Sequence, residues 1–271
     1  MTTIYKLDNL TKGVVLKRPS LSCKTPYVAD VQIGETSVMV HTPALGCAGL
    51  CDRTSTILVS PIEKQKTICS YRAELSFVYE PKLDKHILVG TNPKLAEVLI
   101  YESLKYNKLP FIKSSDFKRE VKIENTNSRF DFAGIDENGQ PFIMEIKNVP
   151  LADYVDCSAK DRKNIDVSLY DQKISYFPDG YRKLVKTPVS PRALKHMNEL
   201  AELKRTTSYR TIMCYVIQRS DTSFFQPSVI DPIYREAFYT AQSEGVEMYA
   251  VKFHWNESGE AILDDNLLTI L

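Results

Sequence analysis

Between residues 13 and 90 apolar and polar positions alternate in short runs. GVVLKRPS, PYVADVQI, TSVMVHTP, TSTILVSP, TICSYRAELSFVYE and KHILVG are rich in Val, Ile, Thr, Phe and Tyr, and Gly, Pro, Asp or Ser separates them. Such runs predict strands, and six of them with little helix predict a small barrel or sandwich. Periodicity alone does not choose an OB-like barrel over an SH3-like one. The pattern changes after Thr91. NPKLAEVLIYESLKYN sets Leu95, Leu99 and Leu104 near helical spacing, with Pro93 at a first-turn position. A strand pair around FKREVKIEN and SRFDFAGI follows, then PFIMEIKNV after the turn Asp136-Glu137-Asn138-Gly139. Ala152 to Asp179 carries many charges and no sustained apolar period, which predicts a long loop or insertion. Helix returns at SPRALKHMNELAELKRT, where Leu194, Met197, Leu200, Ala201 and Leu203 form one apolar face behind Ser190-Pro191. The strand TIMCYVIQR, the helix DPIYREAFYTAQSEG ending at Gly245, and the strand VEMYAVKFHW complete the chain's regular pattern. From residue 92 the order α-β-β-β-α-β-α-β predicts an α/β domain with helical crossovers. The expected division is 1–90 and 91–271.

Composition narrows the class. The 271 residues are 43% hydrophobic and 25% charged, proportions that exclude disorder, collagen and coiled coil as global readings. No apolar run reaches the length of a membrane span, and the first twelve residues lack the apolar core of a secretory signal. An intracellular location, cytoplasmic or nucleoid/nuclear, is expected. Six cysteines are irregularly spaced without a CxxC pair, and Cys47 and Cys51 have no second pair at ligand spacing, so free thiols are expected rather than a zinc site. The net charge of +1 hides an asymmetry, with 20 basic residues against 16 acids over 101–215 but 3 against 9 over 216–271. A polyanionic partner is permitted everywhere but the tail.

The chemistry concentrates in SRFDFAGIDENGQPFIMEIKNV. Glu145 and Lys147 lie two apart on one strand and therefore share a face. Asp131, on the preceding strand, joins them or not according to the turn. A two-residue Asn138-Gly139 loop pairs Asp131 with Ile146 and puts the carboxylates on opposite faces. A three-residue Glu137-Asn138-Gly139 loop, with Gly139 in the left-handed position, pairs Asp131 with Glu145. Two neighbouring carboxylates repel unless they share a proton, a cation or a divalent metal, and their hard oxygens suit Mg²⁺ or Mn²⁺. Beside such a metal Lys147 would orient water or stabilise developing phosphorane charge, as phosphodiester hydrolysis requires. Charged residues alternating on a solvated strand look the same, but Phe130, Phe132, Met144 and Ile146 flank these charges with strongly apolar neighbours.

SRFDF around Asp131, MEIKNV around Glu145 and Lys147, FPDG at Phe177 to Gly180, and PRALKHMNEL around His196 resemble the successive motifs of the sugar fermentation stimulation protein A (SfsA) family. GVVLKRPS and VHTPALG near the start, and VIQRSDTSFFQPSVIDP toward the end, extend that similarity over nearly the whole chain. The resemblance implies an α/β chain, α+β overall: a small N-terminal OB-like β-barrel, then a PD-(D/E)XK nuclease-like α/β domain with a mixed central sheet. It also implies DNA, duplex or single-stranded, as the ligand. Asp131, Glu145 and Lys147 would then be catalytic residues, with Asp131 and Glu145 as metal ligands, and Glu97 stands where such nucleases often keep another acid. Arg192, Lys195 and His196, within one helical turn, would contact DNA phosphate. Arg129 would contact phosphate or pair with Glu145.

Two functions from different classes follow. One is a Mg²⁺- or Mn²⁺-dependent deoxyribonuclease. The other is a DNA-binding regulatory protein on the same fold without turnover. A sugar or metabolite enzyme lacks support, because the chain has no phosphate-cradling glycine loop, nucleophile elbow or dinucleotide fingerprint.

Overall fold

The computed structural model describes residues 2–44, 46–63, 67–124, 126–178 and 187–271. In chain order its elements are β1 (Thr2–Lys6), β2 (Thr11–Lys17), β3 (Val28–Ile33), β4 (Thr36–His41), β5 (Thr56–Pro61), β6 (Tyr71–Glu80), β7 (Lys85–Gly90), α1 (Pro93–Lys105), β8 (Asp116–Lys122), β9 (Arg129–Ile135), β10 (Pro141–Val149), β11 (Ala152–Asp153), α2 (Ala159–Arg162), β12 (Lys173–Phe177), α3 (Pro191–Thr206), β13 (Arg210–Ile217), β14 (Thr222–Pro227), α4 (Pro232–Ser243), β15 (Glu247–Trp255), β16 (Glu260–Leu263) and β17 (Thr269–Ile270). They make two compact units. The first holds Met1–Leu99, Gln218–Asp221 and Phe253–Asp264, and the second holds Ile100–Ile217, Thr222–Lys252 and Asp265–Leu271.

In the first unit the sheet runs β4-β3-β2-β5-β6-β7, and β4 also pairs in parallel with β6. That extra pairing closes β2 to β6 into an OB-like barrel. Its interior is Val15, Ala29, Val31, Val40, Ile57, Val59 and Ala73, all buried, while Val14 and Leu16 beside Val15 are exposed, the alternation a one-sided strand requires. β1 escaped the sequence reading because Ile4 is its one buried residue; it pairs with β16, which in turn pairs with the end of β15.

The second unit has the mixed sheet of an α/β domain. The Glu247–Lys252 part of β15, then β13 and β10, are parallel neighbours, and β9 and β8 extend them antiparallel. β11, β12, β14 and β17 form a second sheet. The stretch expected to be a long loop therefore contains β11, α2 and β12. Polar residues conceal β12: Lys173 is buried over the Tyr154 ring at 5.2 Å, and Ser175 is fully buried, its Oγ donating to Thr222 Oγ1 at 3.0 Å. Asp179 and Gly180 of the FPDG motif lie outside the described residues.

Helices α3 and α4 cover one sheet face. The Ser190 hydroxyl accepts the Ala193 N–H at 3.3 Å and Asp231 accepts the Tyr234 N–H at 3.1 Å, each cap standing just before a first-turn proline. The core below them includes Phe130, Ile143, Val149, Met197, Leu200, Met213, Tyr215, Phe225 and Phe238. The buried stripe of α3 is Ala193, His196, Met197, Leu200, Ala201 and Leu203. Leu194, expected inside, is half-buried, because helical geometry gives the inner place to His196.

The β9–β10 hairpin has the three-residue connection. Asp136 N–H donates to Gln140 O at 2.9 Å, and Gly139 adopts a φ of 78° that a side chain would strain. Asp136 Oδ1 accepts the N–H groups of Asn138 and Gln140, each at 2.9 Å, and Oδ2 accepts Arg210 Nη1 at 2.8 Å. Arg210 also donates to Glu247 at 2.9 and 2.7 Å, tying the turn to β13 and β15. Burial pushes the Asp136 carboxyl up, but Arg210 and the two turn amides outweigh it and hold it below the usual carboxylate range. Its stabilisation is thus present above the ordinary carboxyl pKa and lost as pH falls through the lower folded one. Asp136→Ala is expected to cost about 2–4 kcal/mol at neutral pH. In denaturant titrations across pH, the gap from wild type should narrow on acidification; a constant gap would contradict the assignment.

Candidate active site

Glu145 and Lys147 on β10 stand in step with Ile143 and Val149 of the helical core, each two residues from the next, so they share the face that α3 and α4 cover. Glu145 is 3% exposed and Lys147 9%. From α3, His196, also 3% exposed, reaches the same place on the stripe of Ala193, Met197 and Leu200. Glu145 Oε1 accepts both Lys147 Nζ and His196 Nδ1, and those nitrogens lie 3.3 Å apart. Glu145 Oε2 is buried and has no hydrogen-bond partner among the described residues. Burial raises the Glu145 carboxyl, but the His196 hydrogen bond and the Lys147 charge outweigh it and hold it below the usual range. It is therefore a carboxylate at neutral pH. Since a carboxylate only accepts, the proton between the two groups sits on His196 Nδ1.

Asp131 follows a different route. The β9–β10 pairing runs from Ile135↔Pro141 to Phe132↔Met144, the register of the three-residue loop. One further step would face Asp131 to Glu145, but the alternation slips there. Along β9 both Ala133 and Phe130 pack in the helical core, whereas Phe132 meets Phe117 with centroids 6.2 Å apart. Along β8 Phe117 and Arg119 lie against Tyr101, at 5.8 and 5.2 Å, whereas Ile123, just past the strand, joins the helical core. The two slips share one step of the β8–β9 ladder, between Arg119↔Phe132 and Val121↔Phe130. That step holds Glu120, with a left-handed φ of 53°, and Asp131. Their carboxylates can bring oxygens within 4.8 Å of each other, and Asp131 Oδ2 accepts the Ile146 N–H at 2.6 Å. Loop parity sets the register, but the double slip decides where Asp131 points. It is held on the backbone of the residue between Glu145 and Lys147.

The structure thus brings together Glu145, Lys147 and His196, and fixes Asp131 to the same strand. The oxygens that gather are those of Glu120 and Asp131, hard donors of the kind that Mg²⁺, Mn²⁺ or Ca²⁺ takes, and Glu145 Oε2, on the adjacent strand, is a further acceptor of the same chemistry. Glu120 was not foreseen; its signal is an acid that interrupts the alternation of FKREVKI. Glu97 lies half-buried on α1, in the first unit. Arg129 is exposed, faces Lys122 across the β8–β9 pair, and is not among the partners of Glu145. Arg192 is exposed, and exposed Lys195 donates to Asn127 O at 3.3 Å and lies 3.8 Å from Glu199. Cys23, Cys69, Cys157 and Cys214 are free thiols. Among the described residues no helix is long and apolar enough to cross a membrane.

Comparison with known proteins matches residues 94–160 and 162–259 to the model of the sugar fermentation stimulation protein RE domain. The chain is 26% identical over 247 residues to a sugar fermentation stimulation protein homolog of Clostridium novyi, covering 90% of each, and 28% identical over 238 residues to one of Bartonella tribocorum, covering 86% of each. The structure of Pyrococcus furiosus SfsA in complex with Ca²⁺ superposes with a TM-score of 0.75 over 100% of both chains at 18% identity, a likeness of fold.

If Asp131 closes the gap beside Ile146, Asp131→Ala strands that amide. Hydrogen exchange at Ile146 should then accelerate by about tenfold or more, the loss of roughly 1.4 kcal/mol, while Asp131→Asn, which keeps an acceptor oxygen, should retain most protection. Equal exchange in all three proteins would contradict the contact.

Proposed function

The chain belongs to the SfsA family, and we propose that it is an intracellular DNA-binding protein that hydrolyses phosphodiester bonds with Mg²⁺ or Mn²⁺. The observation that carries this reading is Glu145: one oxygen is saturated by two nitrogen donors, and the other is dry and unpartnered. A buried carboxylate oxygen without a donor is costly, and a divalent cation is the partner that suits it. The Ca²⁺ of the P. furiosus complex is a cation of the same hard-oxygen class.

Asp131 and Glu145 would hold the cation. When bound, it supplies a lowered water pKa and an offset for charge growing on the phosphate. Lys147 would orient the attacking water and stabilise that same charge. Glu97 is the further acid that the family resemblance brings. Exposed Lys122 and Arg129, directly opposite one another, repel in the free protein. A phosphate backbone would relieve that repulsion, and Arg192 and Lys195 are the further basic contacts proposed for it.

Purified protein with duplex or single-stranded DNA should cleave with Mg²⁺ or Mn²⁺ and not with EDTA, and Asp131→Asn and Glu145→Ala should each lose at least about a hundredfold in rate. Lys122→Ala and Arg129→Ala should each lower the slope of log affinity against log salt by about 1. Salt-sensitive binding without metal-dependent cleavage would instead identify a regulatory DNA-binding protein.

A further inference from the structure

We propose that His196 is a positioning residue for Glu145: its Nδ1–H and Lys147 Nζ together occupy Oε1, so that Oε2 alone is presented to a divalent cation. The inference rests on the metal reading above and assigns His196 a task within that site rather than on DNA phosphate.

Three observations carry it. His196 is almost fully buried on the inner stripe of a capped sixteen-residue helix, with Phe130 in the core beside it at a ring separation of 6.3 Å. Its Nδ1 meets the same oxygen as Lys147 Nζ, while Oε2 has no hydrogen-bond partner. Lysine alone would not enforce that asymmetry, because an ammonium on a four-carbon stem can donate to either oxygen of a carboxylate. A planar imidazole locked by its helix fixes one oxygen and so distinguishes the two. A ligating carboxylate is commonly oriented by such an outer hydrogen bond.

The test uses the full chain and Mn²⁺ alone, followed by calorimetry and by electron paramagnetic resonance. His196→Ala is expected to weaken Mn²⁺ binding by about 10- to 100-fold, and His196→Asn, whose side-chain amide can donate from nearly the same place, is expected to restore most of it. DNA affinity measured in EDTA should be the same in wild type and His196→Ala. A loss of DNA affinity there, or wild-type Mn²⁺ affinity in His196→Ala, overturns the proposal. Should His196→Ala fail to fold, ¹⁵N NMR of the metal-free wild type decides: a hydrogen-bonded Nδ1–H that shifts in Glu145→Gln supports the contact, and a bare Nδ1 overturns it. If wild type binds no Mn²⁺ while the Nδ1–H signal is present, the metal reading itself fails, and with it the task given to His196.

Discussion

An ionised carboxylate placed where almost no water reaches costs several kcal/mol unless charged donors replace its hydration. Glu145 meets that constraint on one oxygen only. Much of the second unit can be understood as what keeps this arrangement in place. Ser190 and Pro191 set where α3 begins, and three residues past the Ala193 cap contact comes His196, one turn further in on the inner stripe. β10 pairs with β9 from Pro141 to Met144 and with β13 from Phe142 to Val149, and the β13 ladder fixes the register of Glu145 and Lys147. The hydroxyls of Tyr215 and Tyr234 bond to each other at 2.6 Å inside the aromatic core, satisfying two buried polar groups.

The second constraint is geometric. A strand ladder run to its end would use a carbonyl to accept the Ile146 amide, and β9 supplies a side-chain carboxylate instead. The substitution becomes possible because β8 and β9 lose alternation at the same step, which lets both strands stay paired while Glu120 and Asp131 turn out of phase. Interrupted ladders of this kind recur beside functional sites, since they re-aim a side chain without unfolding the sheet. Glu120 of β8 and Asp131 of β9 are thereby brought together, where repulsion between their carboxylates favours a bound cation.

The parts of the fold written in apolar period were legible from sequence. The six runs between residues 13 and 90 became β2 to β7, whereas the turn at Gly139 left two loop lengths open, of which the structure has the three-residue one. Other parts were not. β12 is buried through Lys173 and Ser175, so its pattern looks like solvated chain, and β1, β11 and β17 are too short for any period to register. At the site, Glu145 and Lys147 were placed together by simple strand alternation. His196 could have been placed with them from the helical spacing of Ala193, Met197 and Leu200 around it, but a histidine beside Arg192 and Lys195 suggested a basic face. The turn of Asp131 toward Ile146 was beyond the reach of a parity argument, because parity assumes that alternation continues to the end of the strand.

The proposed cation site depends on Glu145 Oε2 being a ligand atom. The measurement that bears on it most directly is anomalous diffraction from crystals of the intact chain soaked in Mn²⁺. A manganese peak at about 2.0–2.3 Å from Glu145 Oε2, with Asp131 as a second ligand and Oε1 still held by Lys147 and His196, is the predicted result. Manganese bound elsewhere, with Oε2 left as dry and unpartnered as before, would contradict it.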